Sequence, residues 1–316
     1  MDTCYAGSQC IINGGFDIWQ RGTSFTGYVY TADRWQTGWD ITPTSATWSQ
    51  QTFTPGTAPA AGNEGQFFLR MTTATVGSNT NITISNKVED VRTLAGQTVT
   101  LSFWAKSDSS RTMIAYLGQT FGSGGSSAVF SSPINTTVGS TWTRYSGTVN
   151  LGSMSGKTIG AGSFLEVQIR LNTANGASLD IWGVQLEAGA VATPFTRAGG
   201  TLQGELAACQ RYYYRQTSPS AAYNVFASGS AASTTSILYT MKMPTTMRVT
   251  PTAVEFSTLA ATDGPGLIAI SSLAIANGTP DTVLLNAGLT GATQFRPYTL
   301  TANNSASSFV GLSAEL

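Results

Sequence analysis

Short runs in which apolar and polar residues alternate recur along the chain, cut apart by Gly, Ser and Thr. Alternation with period two marks a half-buried strand, because successive side chains point to opposite faces of a sheet. In TVTLSFWA, residues 98 to 105, Val99, Leu101, Phe103 and Ala105 share one face and Thr98, Thr100, Ser102 and Trp104 the other. FLEVQIRL, residues 164 to 171, sets Leu165, Val167, Ile169 and Leu171 against Glu166, Gln168 and Arg170. LDIWGVQL, residues 179 to 186, continues as a closing strand with Asp180, Trp182, Val184 and Leu186 in phase. Further on, Ile237, Tyr239, Met241 and Met243 alternate in SILYTMKM, and GLIAISSLAI, DTVLLNAGL and the C-terminal TLTANNSASSFVGLSAEL read as further strands. The pattern predicts an all-β fold of many short strands joined by turns.

One segment departs from it. In TLQGELAACQRYYYRQ, residues 201 to 216, Leu202, Leu206, Cys209 and Tyr213 recur at helical spacing. Thr201 is placed to cap the start, Glu205 lies near the positive end, and Arg211 and Arg215 lie near the negative end. The apolar stripe should dock on a sheet, with Cys209 as a small buried hydrophobe. All seven tryptophans, Trp19, Trp35, Trp39, Trp48, Trp104, Trp142 and Trp182, precede residue 183. That step, with Pro194 and the Gly199-Gly200 pair, predicts a domain boundary near residue 198. No solenoid period, collagen triplet or sustained heptad is present.

Composition narrows the function. The 316 residues suffice for two domains. Charged residues are only 10% of the chain, 16 basic and 16 acidic, against roughly 25% in ordinary soluble domains. With zero net charge there is no positive field for nucleic acid. A surface poor in charge suits polar faces packed in an assembly. No run approaches the length of apolar chain that spans a bilayer, so no membrane insertion is expected. Asp2 stands where a secretory signal would be basic, so synthesis in a cytosol is expected. Cys4, Cys10 and Cys209 include no CxxC pair; a Cys4–Cys10 bridge is sterically conceivable but not favoured without an oxidising compartment.

The absence of histidine removes the Ser-His-Asp triad, the Cys-His pair and HExxH zinc sites together. Glycoside hydrolysis survives that filter, since it needs two carboxylates. Candidates are Asp17, Asp33, Asp40, Glu64, Glu89 and Glu166, although an ion pair between Asp33 and its neighbour Arg34 would spoil Asp33 as a general acid. Sugar binding fits better: flat rings stack on a sugar's apolar face while amides and carboxylates meet its hydroxyls. Trp35, Trp39, Trp48, Tyr28 and Tyr30 lie close in sequence, flanked by Gln36, Gln50 and Asp40. Trp39, Trp48, Tyr28, Tyr30 and Gln50 are the ligand-binding candidates, and burial in the core is the competing reading for each ring. In NGGFDIWQRGTSF, residues 13 to 25, Phe16 and Ile18 are expected to pack inward while Asp17 holds Arg21 or backbone donors.

That opening string, followed by YTADRW at 30 to 35, resembles the opening of a group of bacteriophage tail-fibre and virion-appendage proteins. VQLEAGAVATPFTR at 184 to 197, with GELAACQRYYY at 204 to 214, resembles the group's module-to-module junction. The resemblance implies an N-terminal arm at 1–12, a jelly-roll β-sandwich similar to carbohydrate-binding modules at 13–198, and a second β-rich module at 199–316 that begins with one short helix. It implies that Asn13, Phe16, Asp17, Trp19, Arg21, Asp33, Arg34 and Trp35 tie the first strand and its loops to the sandwich. Gln185, Glu187, Thr193, Pro194 and Phe195 would lock the exit strand, and Glu205, Cys209, Gln210, Arg211 and Tyr212 would start the next module. A structural calcium ion near the first and last strands, at Asp180 with Asp17 or backbone carbonyls, is the one metal it nominates. The function implied is that of a non-enzymatic virion protein, a homotrimer among other virion proteins, adhering to host-surface glycans. The alternatives are a decoration or cement protein without a glycan ligand and an envelope-polysaccharide hydrolase.

Overall fold

The structure is a computed structural model that describes residues 9–39, 45–60, 62–75, 81–172 and 175–316. The chain divides into two compact units, Met1–Ala208 with Leu316, and Cys209–Glu315. It is an all-β protein: a jelly-roll sandwich, then a second β-rich module, with one short helix among the described residues.

In chain order the strands of the first unit are β1 (Ser24–Phe25), β2 (Trp35–Trp39), β3 (Ser45–Thr52), β4 (Phe67–Thr75), β5 (Asn81–Val88) and β6 (Thr98–Ser107). They continue as β7 (Arg111–Thr120), β8 (Val129–Phe130), β9 (Ile134–Val138), β10 (Thr143–Asn150), β11 (Phe164–Asn172) and β12 (Ser178–Ala188). One sheet runs β1-β3-β4-β12-β6-β10 and the other β2-β5-β11-β7-β8, with β9 also on β7; every pairing is antiparallel. The inward faces of the two sheets close one core, in which Trp35, Trp48, Met71, Ile84, Leu101, Phe103, Val167 and Ile169 are buried. β11 alternates as its sequence predicts, with Leu165, Val167, Ile169 and Leu171 inward.

Two strands depart from the expected half-burial. β6 lies between β12 and β10 and is buried on both faces. Its outer face is covered by a second, aromatic cluster of Phe53, Phe68, Trp104, Trp182 and Phe195. Closely packed rings of this kind add dispersion and edge-to-face attraction to the area they bury. β12 does not keep one phase along its length. Its register on β6 shifts between Trp182 and Gln185, and Gly183 sits there at φ 64°. Such a bulge moves later residues to the opposite face. Leu179, Ile181, Val184 and Leu186 therefore share the main core, while Trp182 joins the outer cluster and Asp180 meets cations.

The residues expected as an arm are also drawn in where they are described. Cys10 and Ile11 are in the core, and Cys10 N–H donates to the Leu186 carbonyl (3.0 Å). Cys10 is disulfide-bonded, against the expectation of unbridged cysteines; Cys4 lies outside the described residues.

The helix α1, Leu202–Gln210, is shorter than the 16-residue string that predicted it. Thr201 caps it through Oγ1, accepting from Gly204 N–H (3.0 Å). It ends at Gln210, so Arg211 stands just past its C-terminus, while Tyr213 and Arg215 already belong to β13 (Tyr213–Thr217). β-branching and aromatic bulk favour a strand in YYRQT.

The second unit continues with β14 (Val225–Ser233), β15 (Ser236–Lys242), β16 (Ala253–Ser257), β17 (Leu259–Thr262) and β18 (Leu267–Ala269). It closes with β19 (Ser272–Gly278), β20 (Thr282–Gly288), β21 (Pro297–Ala302) and β22 (Phe309–Ser313). A three-stranded sheet runs β13-β22-β16 and a seven-stranded sheet runs β18-β17-β21-β14-β15-β20-β19. Ile237, Tyr239, Met241 and Met243 alternate into its core as predicted.

Candidate functional site

The opening motif folds into a knot of hydrogen bonds centred on Asn13. Its Nδ2 donates to the carbonyls of Ile18 (2.8 Å) and Asp33 (3.0 Å), and its Oδ1 accepts from Ile18 N–H (3.0 Å). Its own carbonyl accepts from Phe16 N–H (3.0 Å) and Trp35 Nε1 (2.9 Å). Asn13 is fully buried at φ 59°, a left-handed conformation that asparagine tolerates better than most residues. Phe16 packs on Trp35 with ring centroids 4.9 Å apart, and Trp19 Nε1 donates to the Phe16 carbonyl (2.6 Å). Asp33 accepts from Gln20 N–H (3.0 Å) and from Gln20 Nε2, and Arg34 donates to the Lys87 carbonyl.

Asp17 corrects one expectation. Its carboxylate is held by Arg197 (2.7 Å), 180 positions away, whereas Arg21 lies over the Tyr30 ring at 5.0 Å. Glu205 reaches from α1 to accept from Asn13 N–H and from Gly199 N–H (2.6 Å). Burial pushes its carboxyl above the usual range, and the two backbone N–H donors act against that rise.

The exit strand is fastened by an equally dense set. Glu187 accepts from Gln185 Nε2 (2.8 Å), Thr193 N–H (2.9 Å) and Thr193 Oγ1 (2.7 Å), and Gln185 Oε1 accepts from Thr196 N–H (2.9 Å). Gln9 bonds along the bulged strand, donating to the Val184 carbonyl (2.6 Å) and accepting from Leu186 N–H (3.0 Å). Nothing in the sequence distinguishes Gln9 until the bulge is known. Cys209 is fully buried and unbridged. Arg211 and Tyr212 follow the helix, the Arg211 carbonyl accepting from Arg248 N–H (2.7 Å) and the Tyr212 N–H donating to Cys209 (2.9 Å).

The calcium site is corrected by the partners of its two carboxylates. Asp180 is paired with Arg70 (2.6 Å) and Lys106 (3.6 Å), and Asp17 with Arg197. Cations of the protein thus neutralise the oxygens a metal would need, and Ca²⁺ requires six to eight oxygen ligands. Among the described residues no group of three or more His, Cys, Asp or Glu side chains converges.

Of the ligand candidates, Trp48 is corrected outright. It is fully buried in the sandwich core, because β3 turns it inward opposite Met71 of β4. The Trp39 side chain lies outside the described part, as does Asp40. Gln50 is half-buried on β3, and Tyr30 is half-buried under Arg21. Tyr28 is 64% exposed and lines a cavity of about 190 Å³ with Thr83, Ser85, Glu166, Gln168 and Arg170.

That cavity opens on the outer face of the β2-β5-β11-β7 sheet. Glu166, Gln168 and Arg170 stand at i, i+2 and i+4 on β11, hence on one face, about 14 Å from end to end. They are wired together: Gln168 Nε2 donates to Glu166 Oε2 (2.7 Å), and Arg170 Nη2 donates to Gln168 Oε1 (2.7 Å). The Arg170 guanidinium lies 4.8 Å from the centroid of the Tyr116 ring, a cation–π stack that fixes it further. Register places Arg170 beside Thr83 of β5, which faces Gly38 of β2, and Tyr28 lies over Gly38. At the other end Glu166 sits beside Gly118 of β7, and the ring of Phe130, 52% exposed, lies over Gly118. The polar ladder therefore runs diagonally between two exposed rings. Of the carboxylates weighed for hydrolysis, Glu166 alone among the described residues lines the cavity; Asp40 lies outside them. The sequence offers Tyr28 as one ring candidate among several and puts Glu166, Gln168 and Arg170 on a polar face. Tyr116 and Phe130 were missed, since only the β11-β7-β8 pairing brings them to the same surface.

No protein-family model matches the chain, and no curated protein matches it. Among solved structures, it is similar to the enzymatically active domain of tailspike protein 4 from bacteriophage CBA120, at 16% identity and TM-score 0.38. That match covers 57% of this chain and 21% of the tailspike domain, so the chain spans about a fifth of that relative's length. It is similar to a family 11 carbohydrate-binding module from Clostridium thermocellum solved with a β-1,3-1,4-mixed-linked tetrasaccharide, at 11% identity, TM-score 0.34, and 54% and 97% coverage. A cyclase from Fischerella sp. TAU, solved with an indolyl butanone, gives 13% identity, TM-score 0.40, and 59% and 99% coverage. Likenesses this remote leave function to the residues themselves.

Proposed function

We propose that this chain is a non-catalytic glycan-binding protein of a bacteriophage virion appendage, assembled as a homotrimer with other virion proteins and adhering to the host surface. The observation that carries the glycan part is the Glu166-Gln168-Arg170 ladder, held by its own hydrogen bonds between the exposed rings of Tyr28 and Phe130. A ladder already ordered loses little side-chain entropy when a sugar binds. Its amide and carboxylate offer both donors and acceptors to hydroxyls, and the rings offer apolar faces. Among the described residues one carboxylate, Glu166, lines the cavity, which suits binding, whereas glycoside hydrolysis works with a pair.

The virion part rests on the appendage-like motifs at 13–35 and 184–214. In this reading they are scaffold: the Asn13 knot, the Asp17–Arg197 pair and the Glu187–Thr193 clasp hold the start and end of the sandwich. Weak sites repeated on one particle multiply avidity, so modest affinity per sandwich suffices. A glycan array probed with the assembled protein tests adhesion. Binding that falls when Tyr28 or Gln168 is replaced by Ala supports it, and an empty array would favour the decoration reading instead.

A further inference from the structure

We propose a second binding site in the first unit, one for a carboxylate-bearing sugar, in the cavity lined by Pro59, Ala60, Asn63, Trp104, Arg144 and Phe195. It goes beyond the glycan reading above, because it lies on strands of the other sheet. The cavity has a volume of about 300 Å³. Arg144 of β10 and Trp104 of β6 face each other in register, with the guanidinium 4.6 Å from the indole centroid.

The cation is fixed but incompletely answered. Arg144 Nη2 donates to Ser102 Oγ (3.1 Å) and to the Thr193 carbonyl, while Nε is buried with no partner. The nearby carboxylate of Glu187 acts on it only through space, because its oxygens accept from Gln185 and Thr193. Burial accordingly draws the guanidinium below its ordinary range. A half-buried, pre-positioned guanidinium without a contacting anion favours a carboxylate, since the fold has already met the cost of fixing it.

The rest of the lining states what the anion must carry. Pro59, Ala60, Pro194 and Phe195 present apolar surface, so a bare inorganic ion would leave them unsatisfied. Asn63 donates through Nδ2 to the Phe195 carbonyl (3.1 Å), which leaves its Oδ1 to accept from a hydroxyl. A carboxylate, a hydroxyl and an apolar ring face on one small body describe a uronic acid.

Calorimetric titration of the full chain with glucuronic acid, glucose and acetate tests the assignment. Glucuronic acid should bind at least about tenfold more tightly than either of the others, the ratio expected for a charge-assisted hydrogen bond combined with ring contact. Ala60→Phe, which fills the cavity without touching the Arg144 bonds, should abolish binding. Arg144→Gln should give the same loss; should that variant not fold, Ala60→Phe decides alone. Equal affinity for glucose would remove the role of the cation, equal affinity for acetate would remove the sugar, and binding that survives Ala60→Phe or no glucuronic acid binding would overturn the site.

Discussion

Replacing Asn13 by Ala is the sharpest probe of the scaffold. The side chain makes three hydrogen bonds, two to carbonyls and one from Ile18 N–H, each worth about 1 kcal/mol net in a protein interior. The residue also sits at φ 59°, where an ordinary L-residue costs roughly 1–2 kcal/mol. Asn13→Ala should therefore destabilise the first unit by about 4–5 kcal/mol. Asn13→Gly removes the same bonds and leaves the backbone relaxed, so it should cost about 1 kcal/mol less than Ala. Urea unfolding followed by tryptophan emission isolates the effect, because all seven tryptophans lie in the first unit. The midpoint should move with little change in slope. An Ala variant that loses less than about 1 kcal/mol, set against the ~1 kcal/mol of a single hydrogen bond, or a Gly variant less stable than the Ala one, refutes the role given to this residue.

Three further outcomes are expected. Gly183→Ala puts a Cβ 2.8 Å from Trp104 Cε3 at φ 64°; the combined overlap and strain should cost about 3 kcal/mol in the same urea assay. Glu205 has its folded pKa raised by burial, so its contribution is complete below the ordinary carboxylate pKa and is lost as pH rises through the folded value. The urea midpoint should thus fall over that window in the parent, and Glu205→Gln should remove this part of the slope. Calcium added to protein freed of metal by chelation should leave the melting temperature unchanged, because Asp17 and Asp180 are already paired with Arg197, Arg70 and Lys106; a rise would restore the metal reading.

Local patterns were legible where one rule acted alone. β11 and β15 alternate cleanly because each has one face to the core, and the period of two survives along their length. β12 departs from its alternation past Trp182, since a bulge costs a single residue of phase and Gly183 is its one mark in the string. The helix lost its second half to β13, where tertiary pairing with β22 outweighed the apolar spacing of Tyr213. Trp48 illustrates the limit for rings. Its neighbours Ser49 and Gln50 are polar and only half-buried, yet alternation on β3 turns Trp48 fully inward.

Pairing over distance was the least legible. Asp17 finds Arg197, and Glu205 finds Asn13, only after the sandwich brings the start of the chain to its exit strand. The candidate site divides the same way. The β11 ladder could be read from alternation, whereas Tyr116 and Phe130 joined it only through strand order.

Adhesion through the β11 face is tested most directly by titrating glycans found on an array against the parent protein, Gln168→Ala and Tyr28→Ala, with folding checked by tryptophan emission. Each substitution on a folded protein should weaken binding about tenfold, in line with the loss of one buried hydrogen bond or one stacked ring. Unchanged affinity in both variants would contradict the assignment of this face as the glycan site.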